Sequence, residues 1–474
     1  MLFTRFLTPA YLALAAHASD GFYKMDFNLL HGEDLSSALS NFLVDIGKEF
    51  PVEDLFGRDS KDLPFAVSVA NEQTFYVTNV TIGTPPVSVE VLLDSGSSDL
   101  WVMSSINPQC HSHGGDVDCD RYGTFNESAS STWQPNGENF SISYLDKTYA
   151  RGAWGTDVVS LTPQLKLDNA TFAVADDSDS NVGVFGIAYQ VQESAQKKYT
   201  NIPALMKEQG LINKIAYSLY LGTSSDTSGT ILFGGVDRAK YSGELVPIDI
   251  TKDQNGNPHL LQIPLKSISA HIVNRGVPPP TPTSTATGNV PHIAATTGTP
   301  TEGKFVFDFG GFAFAANSTS IPGTPEPSAS SSPILNNTVD FGNKPIIVDS
   351  GTTLTLLPNA TLYELVQNIA PGAVYNENAR GYIVPCGLKQ KENYIKYDFN
   401  GQTTINVPFT DLVLEAGHDA TGNLVCAFGI VPNDQPIVGS NFLRSAYAVF
   451  DLDDDTISLA QIKYTTSEHI RVIE

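Results

Sequence analysis

One short signal occurs twice in this chain, and it constrains the fold more than any other feature. Val91-Leu92-Leu93-Asp94-Ser95-Gly96-Ser97-Ser98 and Ile346-Ile347-Val348-Asp349-Ser350-Gly351-Thr352-Thr353 share one pattern: three apolar residues, Asp-Ser-Gly, then two hydroxyl residues. Each copy is followed by a later apolar-apolar-Gly, Val184-Phe185-Gly186 and Ile437-Val438-Gly439, and the two Asp-to-Gly intervals differ by only two residues. A lone Asp-Ser-Gly is an ordinary strand-to-turn junction, because Asp and Gly suit turns. Two copies with matched approaches and matched distal glycines imply a chain built from two similar halves.

The chemistry of such a chain follows from its carboxylates. An apolar strand that ends in Asp delivers a carboxyl group into a low-dielectric interior, and a pseudo-two-fold arrangement of the halves sets Asp94 beside Asp349. Like charges that close cannot both ionise, so the pair shares a proton. One protonated and one ionised carboxyl then act as acid and base on a water between them. Ser95 and Ser350 are placed to brace the opposing loops, Ser97 and Thr352 to hydrogen-bond the outer carboxylate oxygens, and Gly96 and Gly351 complete the two supporting turns.

The remaining text is that of a β-rich protein. Strings such as Tyr76-Val77-Thr78-Asn79-Val80-Thr81-Ile82 are broken by Gly83-Thr84-Pro85-Pro86, and the 474 residues include 38 Gly and 29 Pro with only 16% charged. Short helices are expected around Ile202 to Gln209 and Ala360 to Ile369. A net charge of -24 excludes nucleic acid as a partner, since phosphate backbones repel it. No phosphate-cradling Gly loop is present. His111-Ser112-His113 reads as part of a closed loop and not a metal site, so neither metal nor cofactor is expected. Lys197-Lys198 reads as a solvated loop.

Residues 1–18 carry Arg5, an apolar stretch and the terminal Ala16-His17-Ala18, a signal-peptide pattern. Seven Asn-x-Ser/Thr sequons, at Asn79, Asn126, Asn139, Asn169, Asn317, Asn336 and Asn359, fit a secreted glycoprotein. No second apolar segment approaches membrane length and no hydrophobic tail ends the chain, so no membrane anchor is expected. In an oxidising route the 4 Cys should pair, and spacing favours Cys110 with Cys119 and Cys386 with Cys426, the other two pairings staying open. Residues 19–62 hold an amphipathic run, Leu35 to Phe50, that fits a helix, and read as a propeptide. Two β-lobes are expected at 63–245 and 246–474, the second interrupted at about 277–340 by text rich in Pro, Thr, Ser, Gly and Ala that cannot bury a core.

With these motifs on the page, the sequence resembles the pepsin-like aspartic proteases from about residue 70 to 465, the insertion excepted. The resemblance is carried by Ile82-Gly83-Thr84-Pro85, Asp94 to Val102, Gly183 to Tyr189, Leu232 to Asp237, Asp349 to Thr353, and Ile437-Val438-Gly439 with Phe442-Leu443-Arg444. It implies an all-β fold of two pseudo-two-fold related lobes around a cleft, and hydrolysis of peptide bonds in acid by water, without metal or covalent intermediate. It also implies a monomer acting on polypeptides, released from the cell, with cell-wall association compatible with the insertion. The family's flap tyrosine matches Tyr144 and its partner Trp101, although the usual Tyr-Gly is here Tyr144-Leu145. Asp146 and the wording around Arg444 to Tyr447 look most like the yapsin-type fungal branch, where a flap carboxylate goes with Lys or Arg at the cleavage site. The second motif continues Gly439-Ser440-Asn441, without the family's usual Asp. A polypeptide-binding relative without activity is the competing reading, and it would be favoured by loss of either Asp; both are present.

Overall fold

The structure is a computed structural model, and its described residues are 21–30, 75–111, 121–144, 148–223, 226, 228–273, 337–371, 373–376, 381–418 and 424–474. Phe75–Ile82, rich in aromatic and β-branched residues and buried at all but Asn79 and the half-buried Thr81, pairs antiparallel with Val87–Asp94. Val87–Asp94 then runs parallel to Gly183–Gly186, with Asp94 opposite Gly186. The second half repeats the arrangement. Asn337–Val348 runs parallel to Ile437–Val438, and the Asp349 N–H continues the ladder to the Val438 carbonyl at 3.0 Å. In each half the chain leaves the Asp-Ser-Gly loop into a short strand, Leu100–Met103 or Thr355–Leu357, that lies antiparallel to the same distal pair. The duplicated text is thus a duplicated parallel pairing.

The fold is all-β and two-lobed, as expected. Among the described residues a 13-stranded sheet carries the first half, and a 7-stranded sheet carries the second Asp loop. The C-terminal hairpin Ala446–Asp451 and Thr456–Ile462 does not stay with the second half: Ala446–Asp451 pairs with Ala216–Tyr220, and Thr456–Ile462 pairs with Tyr241–Asp249. A lobe boundary at 245/246 therefore falls inside a strand of a sheet shared by both halves. Both expected helices are present, as Ile202–Glu208 and Asn359–Ile369. The first is capped by Asn201 Oδ1 and buries Ile202, Leu205 and Met206; the second buries Leu362, Leu365, Val366 and Ile369.

The N-terminal segment contributes a strand that the sequence did not predict. Tyr23–Leu30 is a strand, inserted between Ser228–Phe233 and Phe75–Ile82, with Met25, Phe27 and Leu29 buried and Lys24, Asp26 and Asn28 exposed. The expected helix over Leu35 to Phe50 lies outside the described residues, as do the signal segment and the rest of the insertion up to Asn336. Asn337–Val348 is a strand from its first residue, so the last positions of the insertion expected at 277–340 belong to the fold. Cys386 and Cys426 form a disulfide, joining the turn Cys386–Leu388 to the strand Leu424–Phe428. Cys110 is also disulfide-bonded, and its expected partner Cys119 lies outside the described residues.

Candidate active site

The two Asp-Ser-Gly loops hold each other through their serines. The Ser95 N–H donates to Ser350 Oγ at 3.1 Å and the Ser350 N–H to Ser95 Oγ at 2.8 Å. Each hydroxyl then donates across to the opposite strand, Ser95 Oγ to the Val348 carbonyl at 3.1 Å and Ser350 Oγ to the Leu93 carbonyl at 2.9 Å. Both serines are buried, so these four bonds are shielded from water and fix the spacing of the loops.

Each carboxyl group is bound the same way. Asp94 Oδ1 accepts from the Gly96 N–H at 2.7 Å and Oδ2 from Ser97 Oγ. Asp349 Oδ1 accepts from the Gly351 N–H at 2.8 Å and Oδ2 from Thr352 Oγ1 at 2.6 Å. Glycine is required at the third position because the loops face one another so closely. A Cβ on Gly96 would stand 2.8 Å from the Asp349 carboxyl carbon, and one on Gly351 would strike Asp94 Oδ1. The two side chains are 5% and 7% exposed and lie close enough for the Asp349 charge to act on Asp94. Burial, and then the charge of Asp349, push the Asp94 carboxyl well above its ordinary 3.8, against the opposing donation from Ser97 and Gly96. Such a pair keeps one proton in acid and presents one acid and one base to the same small volume.

Trp101 and Tyr144 meet as the sequence implies: the indole Nε1 donates to the Tyr144 hydroxyl at 2.7 Å, and that hydroxyl also contacts Ser97. Tyr144 ends the strand Gln134–Ser143, and its N–H closes the hairpin on the Thr148 carbonyl at 2.9 Å. Burial and then the charge of Asp94 raise its hydroxyl pKa well above 10.0, so it stays a neutral donor. Asp146 and Leu145 lie outside the described residues. Where the second motif lacks the usual Asp, Ser440 Oγ donates to the Ser350 carbonyl at 3.1 Å, and Asn441 accepts from Thr355 Oγ1 at 2.9 Å while donating to the Gly429 carbonyl at 2.7 Å. The missing carboxylate is replaced by neutral groups bonded to the second Asp loop through Ser350 and to the adjacent Thr355 and Gly429.

Sequence reasoning missed a second layer. Gln192 Nε2 donates to the Gly96 carbonyl at 3.3 Å, and Asp99, buried behind the first loop, accepts from the Ser194 N–H and the Tyr199 hydroxyl, both at 2.8 Å. The one signal for it was the contrast at matched positions, Asp99 in the first copy against Leu354 in the second. Lys198, read as solvated, donates from its ammonium to the Glu193 carbonyl in this layer.

Comparison with known proteins places this geometry. The family model for eukaryotic aspartyl proteases matches residues 75–276 and 328–462. The chain is similar to secreted aspartic protease 7 of Candida albicans, 38% identical over 86% of this chain and 64% of that protein, and so spans less than two thirds of its length. It is similar as well to aspartic proteinase yapsin-3 of Saccharomyces cerevisiae, 32% identical over 86% of this chain and 70% of that one. Aspartic proteinase MKC7 of the same yeast is 30% identical over 96% of this chain and 76% of its own. With paired Asp-Ser-Gly loops bound in this way and a family match over most of its length, the chain belongs to the eukaryotic aspartyl protease family.

Proposed function

We propose that this chain is an aspartic endopeptidase that hydrolyses polypeptides in acid, with Asp94 and Asp349 as the catalytic pair. The observation that supports it best is the close facing of two buried carboxyls, each held by a glycine N–H and a following hydroxyl of its own loop, a setting in which one proton is shared between them. The ionised member takes a proton from a water, the water oxygen attacks the scissile carbonyl, and the protonated member donates to the developing oxyanion. As the tetrahedral intermediate breaks down, a proton passes to the leaving amine and the pair is restored. Tyr144, fixed by Trp101, covers the substrate from the hairpin side and excludes water. Hydrolysis of a peptide library at about pH 4, inhibited by pepstatin-type compounds and abolished in Asp94→Asn, is expected; activity that persists in that variant would overturn the assignment.

Asp146, two residues after Tyr144 in the sequence, is the candidate for recognising Lys or Arg beside the scissile bond, a reading supported by similarity to the yapsins. In Asp146→Thr the preference for basic over apolar peptides should fall; an unchanged ratio would refute it. The chain is secreted after removal of residues 1–18, with a propeptide over 19–62. The strand Tyr23–Leu30 gives that segment a structural task, since Met25, Phe27 and Leu29 bury about 1.5–3 kcal/mol of apolar side chain each in the main core. Glycosylation is supported at Asn79, Asn126, Asn139, Asn169 and Asn359, all exposed, while Asn317 and Asn336 lie outside the described residues. N-terminal sequencing and glycan mapping of the secreted protein check these assignments.

A further inference from the structure

Behind the first aspartate loop, residues 189–201 form a strap with no role in the reaction as written above. Ser98 Oγ donates to the Tyr189 carbonyl at 2.5 Å, and Gln190 Nε2 to the Tyr199 carbonyl at 2.6 Å. Two buried carboxyl groups, 0% and 3% exposed, grip one tyrosine: Asp99 Oδ1 accepts the Tyr199 hydroxyl and Glu193 Oε2 accepts the Tyr199 N–H, each at 2.8 Å. Glu193 Oε1 is buried without a hydrogen-bond partner. The gripped ring packs on Trp154 with centroids 5.2 Å apart, Trp154 packs edge-on to Phe140 at 5.0 Å, and Phe140 packs on Trp101 at 6.2 Å. Trp101 is the residue that holds the Tyr144 hydroxyl. A continuous chain of bonded and packed groups therefore joins Glu193 to the hairpin tyrosine.

We propose that Asp99 and Glu193 are positioning residues, a clasp on Tyr199 that is closed while Glu193 is neutral, holds the aromatic wall behind the Trp101–Tyr144 pair, and opens when Glu193 ionises. The proposal rests on the protease reading and adds its pH control. The groups facing the clasp are few. Asp99 and Lys198 act on Glu193, Lys198 also acts on Asp99, and Tyr144 and Asp99 act on the Tyr199 hydroxyl. Burial, with a smaller push from the Asp99 charge, raises the Glu193 carboxyl from 4.5 to about 8, against donation from the Tyr199 N–H and the Lys198 charge. Burial also raises Asp99, and burial and then the Asp99 charge keep the Tyr199 hydroxyl neutral. A carboxyl whose pKa rises on folding stabilises the closed form below its ordinary value, and that stabilisation is lost as pH rises through about 8. An ionised Glu193 would leave a charged oxygen without a donor beside a second carboxylate, so the strap must open or admit water.

The test uses the secreted, processed protein. Hydrolysis should fall on the alkaline side together with a change in the emission of Trp101 and Trp154, read in a Trp133→Phe background that leaves these two of the chain's 3 Trp. Glu193→Gln, neutral at every pH, should remove the Glu193-governed step, so that both midpoints move upward to that of the next group to ionise. Tyr199→Phe, which keeps the ring on Trp154 but deletes the Asp99 bond, should move them downward, and it carries the test should Glu193→Gln fail to fold. Midpoints that coincide with the parent's in these variants would overturn the clasp. An emission midpoint that moves as described in a protein without hydrolysis at any pH would instead overturn the protease reading, and with it the positioning role.

Discussion

Set side by side, the two Asp-Ser-Gly loops agree in every atom that touches a carboxyl group and part company one step further out. Asp94 and Asp349 each accept from a glycine N–H and from a following hydroxyl, and each serine donates to the other half. Behind the first loop stand Asp99, Tyr199, Glu193 and an aromatic wall; behind the second, Leu354 occupies the place of Asp99, and Ser440 and Asn441 bond neutral backbone. The difference teaches that duplication persists where both halves serve one shared pair, because a displaced donor on either side would shift the common proton. Support that touches only one half is under no such symmetry, and the first half places a buried carboxylate, Asp99, where the second has Leu354.

The comparison breaks first if the carboxyls are not equivalent partners. Asp94→Asn and Asp349→Asn should each lower kcat by at least about 1000-fold with peptide binding retained, measured by turnover and by inhibitor titration, because either change removes the shared proton chemistry. Loss in one variant alone would show that a single carboxyl suffices. Gly96→Ala and Gly351→Ala come next. Each methyl group would press on the opposite Asp, and a displacement of about 1 Å costs roughly 100-fold in kcat/KM. Unequal losses would reveal which loop yields.

Ser97→Ala and Thr352→Val sharpen the comparison at smaller cost. Removing a hydrogen bond to a charged group loses about 1.5–3 kcal/mol, or roughly 10- to 150-fold in kcat/KM. Ser97 donation holds the Asp94 pKa down, so in Ser97→Ala the limb of the pH profile governed by Asp94 moves to higher pH. The smallest effect concerns the layer behind. Burial raises Asp99 above its ordinary 3.8, so its ionisation costs stability as pH rises past that value. Asp99→Asn should flatten the fall of Tm as pH rises above about 4, while Leu354→Asn should shift Tm by a similar amount at every pH.

Much of this was legible in one dimension. A strand of three apolar residues followed by Asp-Ser-Gly and a hydroxyl fixes donors and acceptors within four residues, so Asp94, Ser97, Asp349 and Thr352 could be assigned roles before any contact was seen. Tyr23–Leu30 shows the limit. Its alternation of Tyr23, Met25, Phe27 and Leu29 stands in the text, yet the strands it joins lie far along the chain, so nothing in the sequence marks its entry into the main sheet.

By itself the sequence determined the duplication, the β character, the paired carboxyls and their braces, since all rest on local pattern repeated at matched spacing. Only the tertiary structure decided what stands behind the first loop, because the Asp99 partners Ser194 and Tyr199 are 95 and 100 residues away and no periodicity links them. It also decided that the C-terminal hairpin serves both halves. Burial and hydrogen bonding between distant segments depend on how the chain closes, and in Glu193 that closure pushes an ordinary acidic side chain's pKa up to about 8.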